Sequence, residues 1–288
     1  MKRLFLLALC AVPFISVSCQ KEQMTNVSNQ ANNEEITFLL DGEFSAEVTT
    51  KATAVTSLSS FNVNCVTGTA GSNETSVFNT AFSGSSPYKG GKYWPSSDAS
   101  YKFYASNADL TPTASGPTVA AANATDVVCA VCLTPTYKAS NSLTFNHIFA
   151  QVGKCKILAP SGYTVSNLAV KITPYIGGTY NLYSGNGKTD GTGWSSKTTG
   201  SATTIASAVN SDTNNGLYLV PGSYTLTATY KLTMGDYNDT FTKTSTVNIV
   251  GGKVNNISAT LPAGSASEIE FTISITPWSD NSVAATFN

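Results

Sequence analysis

The chain has 288 residues, a formal net charge of −1 and only 11% charged side chains. Its length exceeds what one small core needs and suits two domains of moderate size. No basic cluster is present to displace counterions, which excludes a nucleic-acid binder.

The first element is a leader over residues 1–18. Lys2 and Arg3 precede an apolar run from Leu4 to Val17, and small residues then lead to Cys19. This is the layout of a secretory signal, and the run is shorter than the ~20 residues of a membrane-spanning helix. The stretch Ile15-Ser16-Val17-Ser18-Cys19 resembles a bacterial lipobox, which implies a diacylglycerol on the Cys19 thiol and a cut just before it. An ordinary cleaved signal is the competing reading. The lipid reading is preferred because polar Gln20-Lys21-Glu22-Gln23 and an Asn/Gln-rich stretch follow at once, so residues 19–34 read as a lipidated, flexible tether. The leader holds two of the 16 basic residues and none of the 17 acidic ones, leaving the mature chain at −3.

From Glu35 onward, apolar residues recur with a period of two. Ile36, Phe38 and Leu40 share one face, as do Phe61, Val63 and Cys65, and then Tyr101 and Phe103. Ala120–Ala124 has helix-forming residues, but its flanks argue against a helical turn. Asp126–Leu133 reads as a strand, which sends Cys129 and Cys132 to opposite faces. They are therefore poor partners for a metal or a local disulfide. With Cys65 and Cys155 they read as buried thiols, a long-range disulfide being the alternative. The Pro/Ser/Thr-rich stretch Leu110–Pro117 and the loop Thr134–Ser142 place a domain boundary near Ser140–Leu143, giving units 35–142 and 143–288. Beyond it, Val165 and, after a short break, Leu168-Val170-Ile172 alternate. Tyr218-Val220, Tyr224–Tyr230, Val247-Ile249, Ile269–Ile275 and Val283-Ala285-Phe287 follow, with Pro221-Gly222 and Gly251-Gly252 between them. No segment holds a sustained helical period. So many short strands predict an all-β fold of sandwiches.

Chemical signals are sparse. His147, the single histidine, reads as a structural residue with its ring nitrogens satisfied by backbone, since no base-plus-orienter arrangement accompanies it. Glu34-Glu35, Asp41-Glu43 and Asp236-Asp239 show no acid–base pairing suited to glycoside cleavage. The glycine-rich Gly185–Gly193 lacks the strand-to-helix setting of a phosphate loop and the acidic series of a calcium loop, so it reads as a hairpin or surface loop. Tyr88, Tyr93, Trp94 and Trp194 can stack on sugars but read as core aromatics. The expectation is a protein that is not an enzyme, with no cofactor and no metal.

The order of landmarks resembles the fimbrillin family of Bacteroidales, lipoprotein-derived subunits of type V pili. The landmarks are Thr50-Lys51-Ala52, Tyr93-Trp94-Pro95, Tyr101–Ala105, Leu143–Val152, Gly178–Asn181, Trp194, Leu219–Tyr224, Gly252–Ile257 and Trp278. The resemblance implies two transthyretin-like β-sandwich domains in tandem and a lipid-anchored place in a fimbria at the outer membrane. It further implies removal of the first strand by a surface protease, the vacated groove being filled by a strand from a neighbouring subunit. On this reading Cys19 is lipidated. Lys51, the only basic residue between Lys21 and Lys89, marks a cut before Ala52, although the family's usual residue there is arginine. Ile36, Phe38 and Leu40 belong to the strand removed. Val283, Ala285 and Phe287 are donor candidates, and equally the closing strand of their own domain. The expected partners are other fimbrial subunits by β-strand addition, the outer membrane through the lipid, and a glycan or protein receptor on a host or bacterial surface. A non-polymerising surface lipoprotein or tip adhesin is the alternative.

Overall fold

Alternating apolar and polar residues, punctuated by Gly, Pro, Asn and Asp, build strands almost throughout the computed structural model, which describes residues 34–41, 57–96, 100–264 and 267–277. The first part of the chain forms β1 (Glu35–Asp41), β2 (Ser60–Thr67), β3 (Thr75–Ser83), β4 (Tyr88–Tyr93), β5 (Lys102–Ser106), β6 (Thr118–Ala122), β7 (Val128–Cys132), β8 (Asn141–Thr144) and β9 (Asn146–His147). The second part forms β10 (Ala150–Leu158), β11 (Thr164–Ile172), β12 (Tyr175–Asn181), α1 (Leu182–Gly185), β13 (Trp194–Thr199), β14 (Thr203–Ala206) and β15 (Asp212–Leu219). It closes with β16 (Gly222–Met234), β17 (Tyr237–Ile249), β18 (Lys253–Thr260) and β19 (Phe271–Pro277).

Two all-β units result. The first is an eight-stranded sheet in the order β8-β1-β4-β3-β2-β5-β7-β9. Ile36, Phe61, Phe82, Phe103, Val128 and Leu143, from six of those strands, meet in one core, so the sheet curls around it. The second unit is a sandwich of two four-stranded sheets, β15-β10-β18-β19 and β14-β11-β16-β17. Their inner faces share a core that includes Val152, Ile157, Leu226, Tyr230, Ile249 and Ile257. Its longest hairpin joins β16 to β17 through Gly235-Asp236, with Gly235 at φ +58°. Glycine at the first turn position is what a two-residue hairpin of this hand requires. The break in the alternation after Val165 is a bulge: Asn167 takes φ +54° and the pairing of β11 with β16 shifts between Ser166 and Ala169.

The units are joined by a three-stranded sheet, β13-β12-β6, in which β6 of the first part pairs with β12 of the second. Ala120 to Ala122 are thus strand, and Asn123 continues into a turn rather than a helix. Beneath lies a third core made by both parts, including Tyr104, Val119 and Cys129 from one and Phe149, Tyr180 and Trp194 from the other. The division expected between Ser142 and Leu143 falls inside β8, because Leu143 and Phe145 send their side chains into the first core. Cys129 belongs to the shared core while Cys132 packs against the first, as opposite strand faces require. All four described cysteines are free, so the long-range disulfide is corrected to thiols.

Candidate functional site

β1 sits inside the first sheet, antiparallel to β4 on one side and parallel to β8 on the other. Its alternation points Ile36 and Phe38 into the core with no exposed surface, and Leu40 is half-buried against the same core. The Phe38 ring packs edge-on against Phe82 and Phe103, each at 5.0 Å, and Phe61 at 6.4 Å. Burying such side chains stabilises the fold by ~1.5–3 kcal/mol each. Around the rim, Thr37 Oγ1 lies 2.7 Å from Ser140 Oγ, and Glu35 Oε1 accepts from the Gly91 N–H at 3.2 Å. The Lys89–Glu35 ion pair, at 3.3 Å with Lys89 mostly in water, adds little. Ladder hydrogen bonds and the apolar slot therefore hold β1. Loss of β1 would leave β4 and the four-residue edge strand β8 without a partner on that side, above a slot lined by Phe61, Phe82, Phe103 and Leu143. Cys19, Lys51, Ala52, Val283, Ala285 and Phe287 lie outside the described residues.

At the junction of the units, His147 ends β9 with its Nδ1 at 2.8 Å from Oδ2 of Asp126, whose carboxylate is fully buried. The expected backbone partnership is corrected to include this carboxylate. Asp126 and His147 are brought together because β7 and β9 pair, with Val128 opposite His147. Nothing in local spacing signals it. Cys129 donates to Ser106 Oγ at 3.6 Å, and burial pushes its thiol up to about 12, the opposite of an activated nucleophile. Gly185–Gly193 is the connection of the β12–β13 hairpin, opened by α1, whose N-terminal cap is Asn181 accepting from Ser184 N–H at 2.9 Å. Asp190, fully exposed, accepts from Thr192 Oγ1 at 2.6 Å and Thr192 N–H at 2.9 Å, and these bonds hold its carboxyl below the usual range. Trp94 and Trp194 are core residues, Tyr88 donates its hydroxyl to Leu58 O, and Tyr93 is exposed. Among the described residues no three His, Cys, Asp or Glu side chains cluster to hold a metal.

No curated protein sequence matches the chain. Among solved structures, a candidate cell adhesion protein of Bacteroides eggerthii superposes with a TM-score of 0.50 at 12% identity, covering 85% of this chain and 96% of that one, which shows a shared fold. A candidate cell adhesion protein of Bacteroides ovatus gives 0.45 at 14% identity, covering 85% and 98%. A fimbrial assembly protein of Parabacteroides distasonis gives 0.39 at 10%, covering 85% and 99%. A family model described as fimbrillin-like matches residues 46–278. That match covers the first unit from β2 onward, the joining sheet and the second unit, and the chain belongs to the fimbrillin-like family.

Proposed function

We propose that this chain is a structural subunit of a cell-surface fimbria, exported as a lipoprotein on Cys19 and assembled by β-strand addition. The observation that carries the reading is the place of β1. It is a short strand inside the sheet, and its removal would open two unpaired ladders over an aromatic slot. A cut after Lys51 would separate β1 from β2 in sequence without touching either, leaving the strand held by its ladders, by Ile36, Phe38 and Leu40, and by the rim contacts of Glu35 and Thr37. A neighbour's Val283, Ala285 and Phe287 would replace them with the same period-2 pattern. We place the passage between the two units at Ile148-Phe149, after the last strand of the first sheet.

The test is digestion of the purified protein with a protease specific for basic residues, followed by N-terminal mass and oligomer size. The expected product begins at Ala52 and forms ladders stable to mild detergent, whereas Lys51→Ala, cut no further than Lys21, keeps β1 and stays monomeric. Loss of β1 with no change in oligomer size overturns strand addition. Cys19→Ala should remove the lipid label and release the protein from membranes, because two acyl chains anchor stably where one does not.

A further inference from the structure

A cleft of about 170 Å³ opens at the junction of the two units, between the end of β9, the loop after α1 and the turn before β18. It is smaller than the ~300 Å³ at which drug-sized pockets begin, so it suits a single sugar-sized group. Backbone bonds set its shape: Gly251 N–H donates to Thr189 O at 2.7 Å, Gly252 N–H to Phe149 O at 2.8 Å, and Lys188 N–H to Gly185 O at 3.1 Å. Close packing fixes it further. A Cβ on Gly185 would lie 2.2 Å from the Tyr180 hydroxyl, and one on Gly251 would lie 2.6 Å from Pro221 Cγ. Glycine is needed at both positions for the walls to meet. A preformed cleft binds without first ordering its own loops.

Its lining is basic and polar. The protein carries few charges and a net negative balance, yet the cleft presents Lys188 and Lys253 and is lined by no carboxylate. Neither nearby carboxylate lines the cleft: Asp126 lies buried against His147, and Asp190, whose charge Lys188 partly offsets, accepts from Thr192 through Oδ1. Asn146, Asn186 and Thr189 supply uncharged hydrogen-bonding groups, and Ile148 and Tyr180 an apolar wall. His147 lines the cleft with one ring nitrogen already committed to the buried Asp126.

The geometry points to a binding site for an acidic sugar residue, one bearing a carboxylate or a sulfate. Lys188 and Lys253 take the anion through charge-assisted bonds, the amides and Thr189 take ring hydroxyls, and Ile148 and Tyr180 cover an apolar face. The site needs neither removal of β1 nor polymer, so its test leaves strand addition aside.

The experiment titrates the untagged, uncut full chain with glucuronic acid, with glucose 6-sulfate and with glucose. Binding is followed by calorimetry and by the NMR signals of the imidazole, which belong to His147 alone because the chain has one histidine. At least one acidic sugar should bind saturably, about tenfold or more tighter than glucose, shift the His147 signals, and weaken as salt is raised. The tighter of the two acidic arms identifies carboxylate or sulfate as the anion. Combined Lys188→Ala and Lys253→Ala should lose that preference with an unchanged melting midpoint, and Lys188→Gln alone should lose part of it. The proposal is overturned by equal affinity for glucose, by acidic-sugar binding that survives the double variant, by binding that leaves the His147 signals unmoved, or by no saturable binding at all.

Discussion

Phe38 shows how one side chain ties the first strand to its sheet. Its ring meets Phe82 and Phe103 edge-on, and the side chain has no exposed surface. Phe38→Ala leaves a cavity between three aromatic rings that cannot all move inward, and should cost ~3–5 kcal/mol in denaturant unfolding. A loss under about 1 kcal/mol, the size of an ordinary surface change, would mean that the slot collapses on its own. The thiols give a second residue-scale prediction. Burial pushes Cys65, Cys129 and Cys155 up to about 12, against ~8.5 in an unfolded chain. Between those values the unfolded chain has shed protons that the folded chain retains, so stability falls as pH rises. Their contribution is whole below ~8.5, and each thiol then removes up to ~1.4 kcal/mol per pH unit through this window. Tyr230, pushed up to about 12 by burial, adds to the loss above ~10. The denaturation midpoint should therefore drop between neutral pH and pH ~10, and Cys155→Ala should flatten the drop.

Strands whose faces differ were legible in the sequence, and those between two cores were less so. β1 and β16 alternate visibly because one face meets a core and the other meets solvent or a polar neighbour, and β2 alternates as far as Cys65, after which Val66 enters the shared core. β5 and β7 do not: Tyr104 and Cys129 enter the shared core while Phe103, Ala105, Val128 and Ala130 enter the first. A strand covered on both sides reads as a continuous apolar run. α1 has four residues, too few for any period to register, and only its Asn181 cap marks it. The parallel pairing of β1 with β8 joins Phe38 to Asn141 across most of the first unit, and no local pattern encodes it. The last buried members of the second core among the described residues are Ile269 and Phe271. Deleting Ser282–Asn288 decides between the two roles of that segment. If the segment is a donor strand, the truncated monomer keeps its melting midpoint while polymers vanish. A monomer that no longer folds assigns the segment to its own sheet instead.

At the scale of the molecule, composition and strand spacing carried the fold class, and the missing piece was how the two parts meet. A boundary drawn from loop composition treats the units as beads, whereas β6 crosses to pair with β12 and Tyr104, Val119 and Cys129 share a core with Phe149, Tyr180 and Trp194. The same blindness hid the Asp126–His147 pair and the cleft beside it, which exist only once β9, the loop after α1 and the turn before β18 converge. Trp194 is the test of that junction. Its ring lies 5.0 Å from Phe149 and 5.5 Å from Tyr180, and its Nε1 donates to Ile148 O at 3.4 Å. If the shared core couples the units, the intact chain melts in one transition. Trp194→Ala should remove ~3–5 kcal/mol from the junction while leaving the first core and the β10–β19 sandwich intact, and so split the calorimetric trace into two transitions. A single transition lowered as a whole would place the coupling in the backbone pairing of β6 with β12. Val119→Pro, which removes a ladder donor within that pairing, would then be the variant that separates them.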